Sequence, residues 1–155
     1  MNTNLRTFIA IKINPAPKLL EVTARCRELF ENEAIKWVGS DNLHLTLKFL
    51  GETSEKQVQE ITTSLENRAA QVSPFSLQLK GLGYFESGRQ PKVLFAGVQE
   101  WEEMKTLAQK IDEDVSPLGF AKEKRKFNPH LTLGRIKFLK DKKRFYSFVE
   151  KYKNI

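Results

Sequence analysis

The chain has 155 residues, 40% hydrophobic and 29% charged, with a formal net charge of +7 at pH 7. That length fits one compact unit or two small lobes sharing a core. No apolar run approaches the roughly 20 residues that span a bilayer, the N-terminus lacks the pattern of a secretory signal, and a single cysteine excludes an internal disulfide. These features lead us to expect a cytoplasmic protein that acts as a monomer. The basic balance suits a polyanionic partner, because a positive surface raises the local concentration of nucleic acid or nucleotide.

Residues 6–13 (RTFIAIKI) read as a β-strand, ended by Asn14-Pro15-Ala16-Pro17. Proline fits the first turn of a helix, where its missing N–H costs nothing. A helix is predicted over residues 18–33, with Leu19, Val22, Cys26, Leu29 and Phe30 on one stripe, so Cys26 reads as a small buried hydrophobe. A short strand at 35–38, a turn at Gly39-Ser40-Asp41-Asn42 and a strand at 43–50 (LHLTLKFL) follow; Gly51 closes that strand. Thr53 or Ser54 can cap a helix reaching about Val72.

The second half repeats this plan. Strands are predicted at 75–85 and 92–98, separated by Ser87-Gly88-Arg89-Gln90-Pro91. A helix at 101–115 carries Met104, Leu107, Ala108 and Ile111 at helical spacing. The basic run 122–126 leads through Phe127-Asn128-Pro129 to a strand at 130–136 (HLTLGRI), and a charged, aromatic helix runs from about Asp141 to Tyr152. Sliding the chain by 86 residues lays HLTL at 44–47 on HLTL at 130–133, and FIA at 8–10 on LFA at 94–96. The expected architecture is a single α+β domain over 1–155, built of two lobes related by a pseudo-twofold axis.

The protein has two histidines, and each opens the same tetrapeptide. One such match by chance has odds of about one in a thousand at ordinary composition, so two are a motif. Side chains alternate along a strand, which puts His44 with Thr46, and His130 with Thr132, on one face and the leucines on the other. Two imidazoles beside two hydroxyls suit cleavage of a phosphodiester. The attacking oxygen must lose a proton and the leaving alkoxide must gain one, and histidine's ordinary pKa near 6.5 allows both near neutrality. One ring must be neutral and the other protonated, which predicts a bell-shaped pH–rate profile. The hydroxyls can donate to non-bridging phosphate oxygens as charge develops there. Two histidines without nearby cysteine, and without acidic residues on the same strand faces, make a poor set for zinc or iron. No metal or other cofactor is expected.

The two HLTL segments resemble the paired His-x-Thr-x motifs of the two-histidine phosphoesterase superfamily. Their flanks, IKWVGSDNLHLTLKFLGE and FNPHLTLGR, are similar to the RNA 2′,3′-cyclic phosphodiesterases, historically called 2′-5′ RNA ligases. The resemblance runs from about Leu5 to the helix after Ile136. It implies two antiparallel sheets facing a central cleft with helices outside. It further implies metal-free hydrolysis of a 2′,3′-cyclic phosphate on an RNA end to a 2′-phosphomonoester. His44 would be the proton donor and His130 the proton acceptor, with Thr46 and Thr132 holding the phosphate. The residue types alone leave the division between the histidines open. Family members commonly carry a further strand past the last helix, whereas this chain stops at Ile155; either that strand is missing or the lobe is built differently.

Three further candidates for substrate binding stand near the motifs. Arg135 offers a bidentate fork for phosphate, although strict alternation sets it on the leucine face unless Gly134 bulges the strand. Lys48 shares parity with His44 and Thr46. Phe127, like Trp37, is an aromatic able to stack a base, and the basic segments around Lys124 and Lys142–Arg144 could guide an RNA backbone. The remaining alternatives are a relative acting on another small cyclic or 2′-5′ phosphodiester, and an RNA- or nucleotide-binding module without turnover.

Overall fold

A computed structural model describes residues 4–153. Four α-helices and six β-strands make an α+β fold among the described residues, and the chain divides into two compact units.

The first unit comprises the chain up to Ile11, Thr46–Leu77 and Glu100–Pro129. Strand β1 (Leu5–Lys12) lies beside β3 (His44–Thr53), and their Thr7 and Thr53 hydroxyls are 2.6 Å apart. Helix α2 (Glu55–Ala69) begins with a capping box. The Ser54 hydroxyl accepts from the Gln57 N–H, and the Gln57 side chain accepts in return from the Ser54 N–H. This satisfies two of the N–H groups a helix start leaves without partners. Ser54 is therefore the cap, while the Thr53 hydroxyl turns back to the Gly51 carbonyl. Gly51 does not end its strand as expected; it sits inside β3 at φ 74°, a left-handed conformation that glycine adopts without the usual Cβ penalty. Helix α3 (Glu102–Val115) packs on α2. Ile9, Ile61, Ile111, Val115 and Phe120 form the buried core, with Leu47, Leu50, Leu65 and Leu107 against it.

The second unit comprises Lys12–Leu45, Gln78–Gln99 and the chain from His130 onward. Its strands β4 (Gln78–Ser87), β5 (Gln90–Gln99) and β6 (His130–Phe138) pair antiparallel in that order. Strand β2 (Ala34–Trp37) runs antiparallel along β6. The β4–β5 connection is tighter than the five-residue turn expected. Only Gly88 and Arg89 form it, with φ of 59° and 64°, and Ser87 pairs with Gln90. Two successive positive φ values match the turn whose twist suits a two-residue hairpin.

Helix α1 (Pro17–Leu29) starts on Pro17 as expected but stops four residues short of Glu33. Phe30 caps it and is buried, its ring 5.7 Å from Phe145 and 5.3 Å from Phe148 of α4 (Lys142–Lys151). Glu33 is then used elsewhere. Its carboxylate accepts from the backbone N–H groups of Lys140 and Asp141 just ahead of α4. Cys26 is fully buried on the stripe, and burial pushes its thiol up to about 12, so it is inert near neutral pH.

Candidate active site

The two HLTL strands meet in the second unit. Leu45 of β3 pairs with Leu131 of β6, and both leucines are fully buried. Because neighbouring side chains alternate, that pairing sets His44 on the opposite face, the same one that carries His130 and Thr132. Both histidines and both motif threonines are half-buried. Thr46 follows His44 at the same parity in β3, as the first residue of the other unit.

Strand β6 changes partner just beyond this point. Val38 donates its N–H to the Leu133 carbonyl at 2.9 Å, and from there β2 occupies the edge where β3 began. On the other edge the register with β5 shifts by one. Phe95 stands opposite Thr132, and Leu94 opposite Gly134, so Leu133 is the extra residue of a bulge. The burial pattern records the same event: Leu131, Leu133, Gly134 and Ile136 are buried while Arg135 is exposed. The bulge reverses the alternation. Paired residues share a face, so the opposition of Gly97, Phe95 and Val93 to His130, Thr132 and Arg135 puts those last three on one side. Gly134 is where no side chain fits, since a Cβ there would lie 2.9 Å from Ile35 and 3.0 Å from Trp37.

The histidine rings have distinct surroundings. His44 Nδ1 is 2.8 Å from the carbonyl oxygen of Asn42, the last residue of a 3-10 turn over Ser40–Asn42. A carbonyl only accepts, so the ring donates from Nδ1 to Asn42. His130 packs against two aromatic rings, Phe85 at 4.8 Å and 87°, and Phe95 at 5.5 Å and 60°. The two phenylalanines are themselves 4.4 Å apart. Phe85 and Gly83 pair with Val93 and Phe95, which places them on the same face. A Cβ at Gly83 would come within 2.6 Å of the Phe95 ring. Sequence reasoning missed Phe85, Phe95 and Gly83. Their period-two spacing along two predicted strands was the available signal, but the register that aims them at His130 is a tertiary fact.

Lys48, Phe127 and the basic run 122–126 lie in the first unit, while Trp37 and Lys142–Arg144 lie in the second. Lys48 does not present its ammonium to solvent. It is 6% exposed, and its Nζ donates to Asp112 Oδ1 at 2.5 Å and to the Ala121 carbonyl at 2.9 Å. Parity did not foresee this, because a long side chain is placed by the partner that offsets its desolvation. Phe127 is half-buried, its ring 5.9 Å from that of Trp101. The run 122–126 is exposed, and is anchored where the Glu123 N–H donates to both Asp112 oxygens. Among the described residues, no three His, Cys, Asp or Glu side chains gather where they could hold a metal ion, and no helix is long and apolar enough to cross a membrane.

The family model of the 2′-5′ RNA ligase superfamily matches residues 15–153. A protein of Methanocaldococcus jannaschii named RNA 2′,3′-cyclic phosphodiesterase is 37% identical over 151 residues, covering 97% of this chain and 83% of its own. One of Thermotoga maritima with the same name is 37% identical over 143 residues, covering 89% and 73%. The crystal structure of TT0787 of Thermus thermophilus superposes with a TM-score of 0.68 at 30% identity, over 88% of this chain and 77% of that one. With nearly its whole described length matched and both HLTL strands in one register, the chain belongs to the 2′-5′ RNA ligase superfamily.

Proposed function

We propose that this protein hydrolyses 2′,3′-cyclic phosphates on RNA ends to 2′-phosphomonoesters, without a metal, by acid–base catalysis between His44 and His130. The observation that carries the reading is the Leu45–Leu131 pairing, from which strand alternation puts His44 on the same face as His130 and Thr132. The names of the M. jannaschii and T. maritima relatives supply the substrate class.

In this mechanism His130 takes a proton from water as the oxygen attacks phosphorus. The P–O3′ bond breaks, and His44 Nε2–H delivers its proton to the departing 3′ oxygen. The products are a free 3′ hydroxyl and a 2′-phosphate, with the protons balanced across the two rings. The Asn42 carbonyl supports the donor role by holding His44 Nδ1–H in both charge states. Thr132 and Thr46 donate to the non-bridging oxygens, and Arg135, returned to this face by the bulge, adds a cation for the RNA backbone.

The order strand–helix–strand–helix shared by β1, α1, β3, α2 and by β5, α3, β6, α4, with β2 and β4 outside it, supports a pseudo-twofold, two-lobed single domain in this reading, and the family resemblance adds two antiparallel sheets flanking a cleft. We take the protein to act as a cytoplasmic monomer. The test is to incubate it, with EDTA present, with an RNA ending in a 2′,3′-cyclic phosphate and to follow phosphorus NMR. Appearance of a 2′-monophosphate is expected. A 3′-monophosphate would reverse the bond cleaved, and absence of turnover would overturn the reading.

A further inference from the structure

Lys36 and Arg135 are register partners across β2 and β6. Paired residues share a face, so Lys36 joins Arg135 on the side that carries Thr132 and His130. Both side chains are exposed. Among the described residues neither takes part in an ion pair or a side-chain hydrogen bond. The residue facing Arg135 from its other edge is Val93, so β5 supplies no carboxylate there.

Like charges directly opposite on neighbouring strands are destabilising. Here the backbone holds a guanidinium and an ammonium together with no acid between them, an arrangement an anion would relieve. The two cations differ usefully. Arginine presents a planar fork for two phosphate oxygens, and lysine adds a mobile point charge. They stand along β6 from Thr132 by three residues that include the bulge, at most about 10 Å at the usual strand rise. A ligand spanning both places carries a second phosphate roughly one nucleotide from the first. On an RNA end closed by a 2′,3′-cyclic phosphate, that group is the phosphodiester on the 5′ side of the terminal nucleoside.

We propose that Lys36, together with Arg135, binds this 5′ phosphodiester and makes the site selective for oligonucleotide ends over cyclic mononucleotides. The inference rests on the phosphodiesterase reading of the same face and adds a specificity determinant to it. Cyclic mononucleotides lack the second phosphate, so the pair does nothing for them.

The experiment compares equilibrium binding of a 2′-monophosphate mononucleotide with that of a dinucleotide ending in a 2′-phosphate, at about 50 and 200 mM salt. Wild-type protein is expected to favour the dinucleotide. Lys36→Gln should reduce the ratio of dinucleotide to mononucleotide affinity about tenfold, the scale of one charged hydrogen bond. It should also lower the salt slope for the dinucleotide by about one, the signature of a lost phosphate contact. Lys36→Arg should retain both. If Lys36→Gln leaves the ratio at its wild-type value, through no loss or an equal loss on both ligands, the subsite is wrong. Because the readout is binding, it is independent of turnover: a protein that shows the ratio change but never opens a cyclic phosphate would overturn the catalytic reading alone.

Discussion

His130 meets the ring of Phe85 edge-on, with centroids 4.8 Å apart and planes at 87°. Phe95 completes the enclosure, and the missing side chain of Gly83 leaves room for the Phe95 ring. The orientation of one imidazole thus depends on a glycine two strands away.

Gly83→Ala should push the Phe95 ring, because its Cβ would fall 2.6 Å from it. Overpacking of this kind typically costs about 1–3 kcal/mol, and the displaced ring should carry His130 with it and lower kcat. Combining Gly83→Ala with Phe95→Leu should recover stability. Denaturant midpoints and kcat on a cyclic phosphate check both statements; unaltered midpoints in the single variant would refute the steric account.

Replacing His44 or His130 singly by alanine should each reduce kcat/KM by about 10²–10⁴-fold, the usual worth of one positioned proton transfer. The wild-type pH–rate profile should be bell-shaped, and each variant should lose one limb. Wild-type turnover in either variant would sink the acid–base assignment.

Lys48 and Asp112 form an ion pair whose side chains are only 4% and 18% exposed. Removing one partner of such a pair leaves the other charge uncompensated, so Lys48→Ala should cost about 3 kcal/mol of stability. Its ammonium is committed to Asp112 and Ala121, so KM should stay near the wild-type value. A raised KM without loss of stability would return Lys48 to substrate binding.

Asp114 is held by a two-pronged contact from Arg68, at 2.7 and 2.9 Å, and that hydrogen bonding lowers its pKa below the ordinary carboxylate value. A carboxylate depressed in the folded state stabilises the protein above its unfolded pKa and loses that contribution as pH falls through the folded one. The stability advantage of wild type over Asp114→Asn should be full at neutral pH and fade below about pH 4. Glu123, brought down to about 2 chiefly by its hydrogen bond to Arg125, lies in an exposed pair. Salt should screen it, so Glu123→Gln should change thermal stability far less than Asp114→Asn. Thermal melts across pH 2–7 test both expectations.

Element positions were legible along most of the chain, because each rests on local signals. Pro17 opens α1, Ser54 caps α2, and alternation marks β3 and β6. Errors fall where a partner overrides the local signal. The α1 boundary moved because Phe30 is drawn into the packing with α4, and Gly51 stayed inside its strand. Arg135 posed a question of parity that alternation alone answered the wrong way, and the bulge at Leu133 answered it the other way.

The sequence by itself determined the chemistry on offer: two histidines, each two residues ahead of a threonine, in strands whose leucines must be buried. Hydrophobic alternation requires that much whatever the partners are. Only the tertiary structure decided the company these groups keep. The pairing of Leu45 with Leu131 set His44 on the face of His130, the β5 register enclosed His130 in Phe85 and Phe95, and a carboxylate on a distant helix claimed Lys48. Register, bulge and long-range charge pairing are relations between segments far apart in the chain, and no local window contains them.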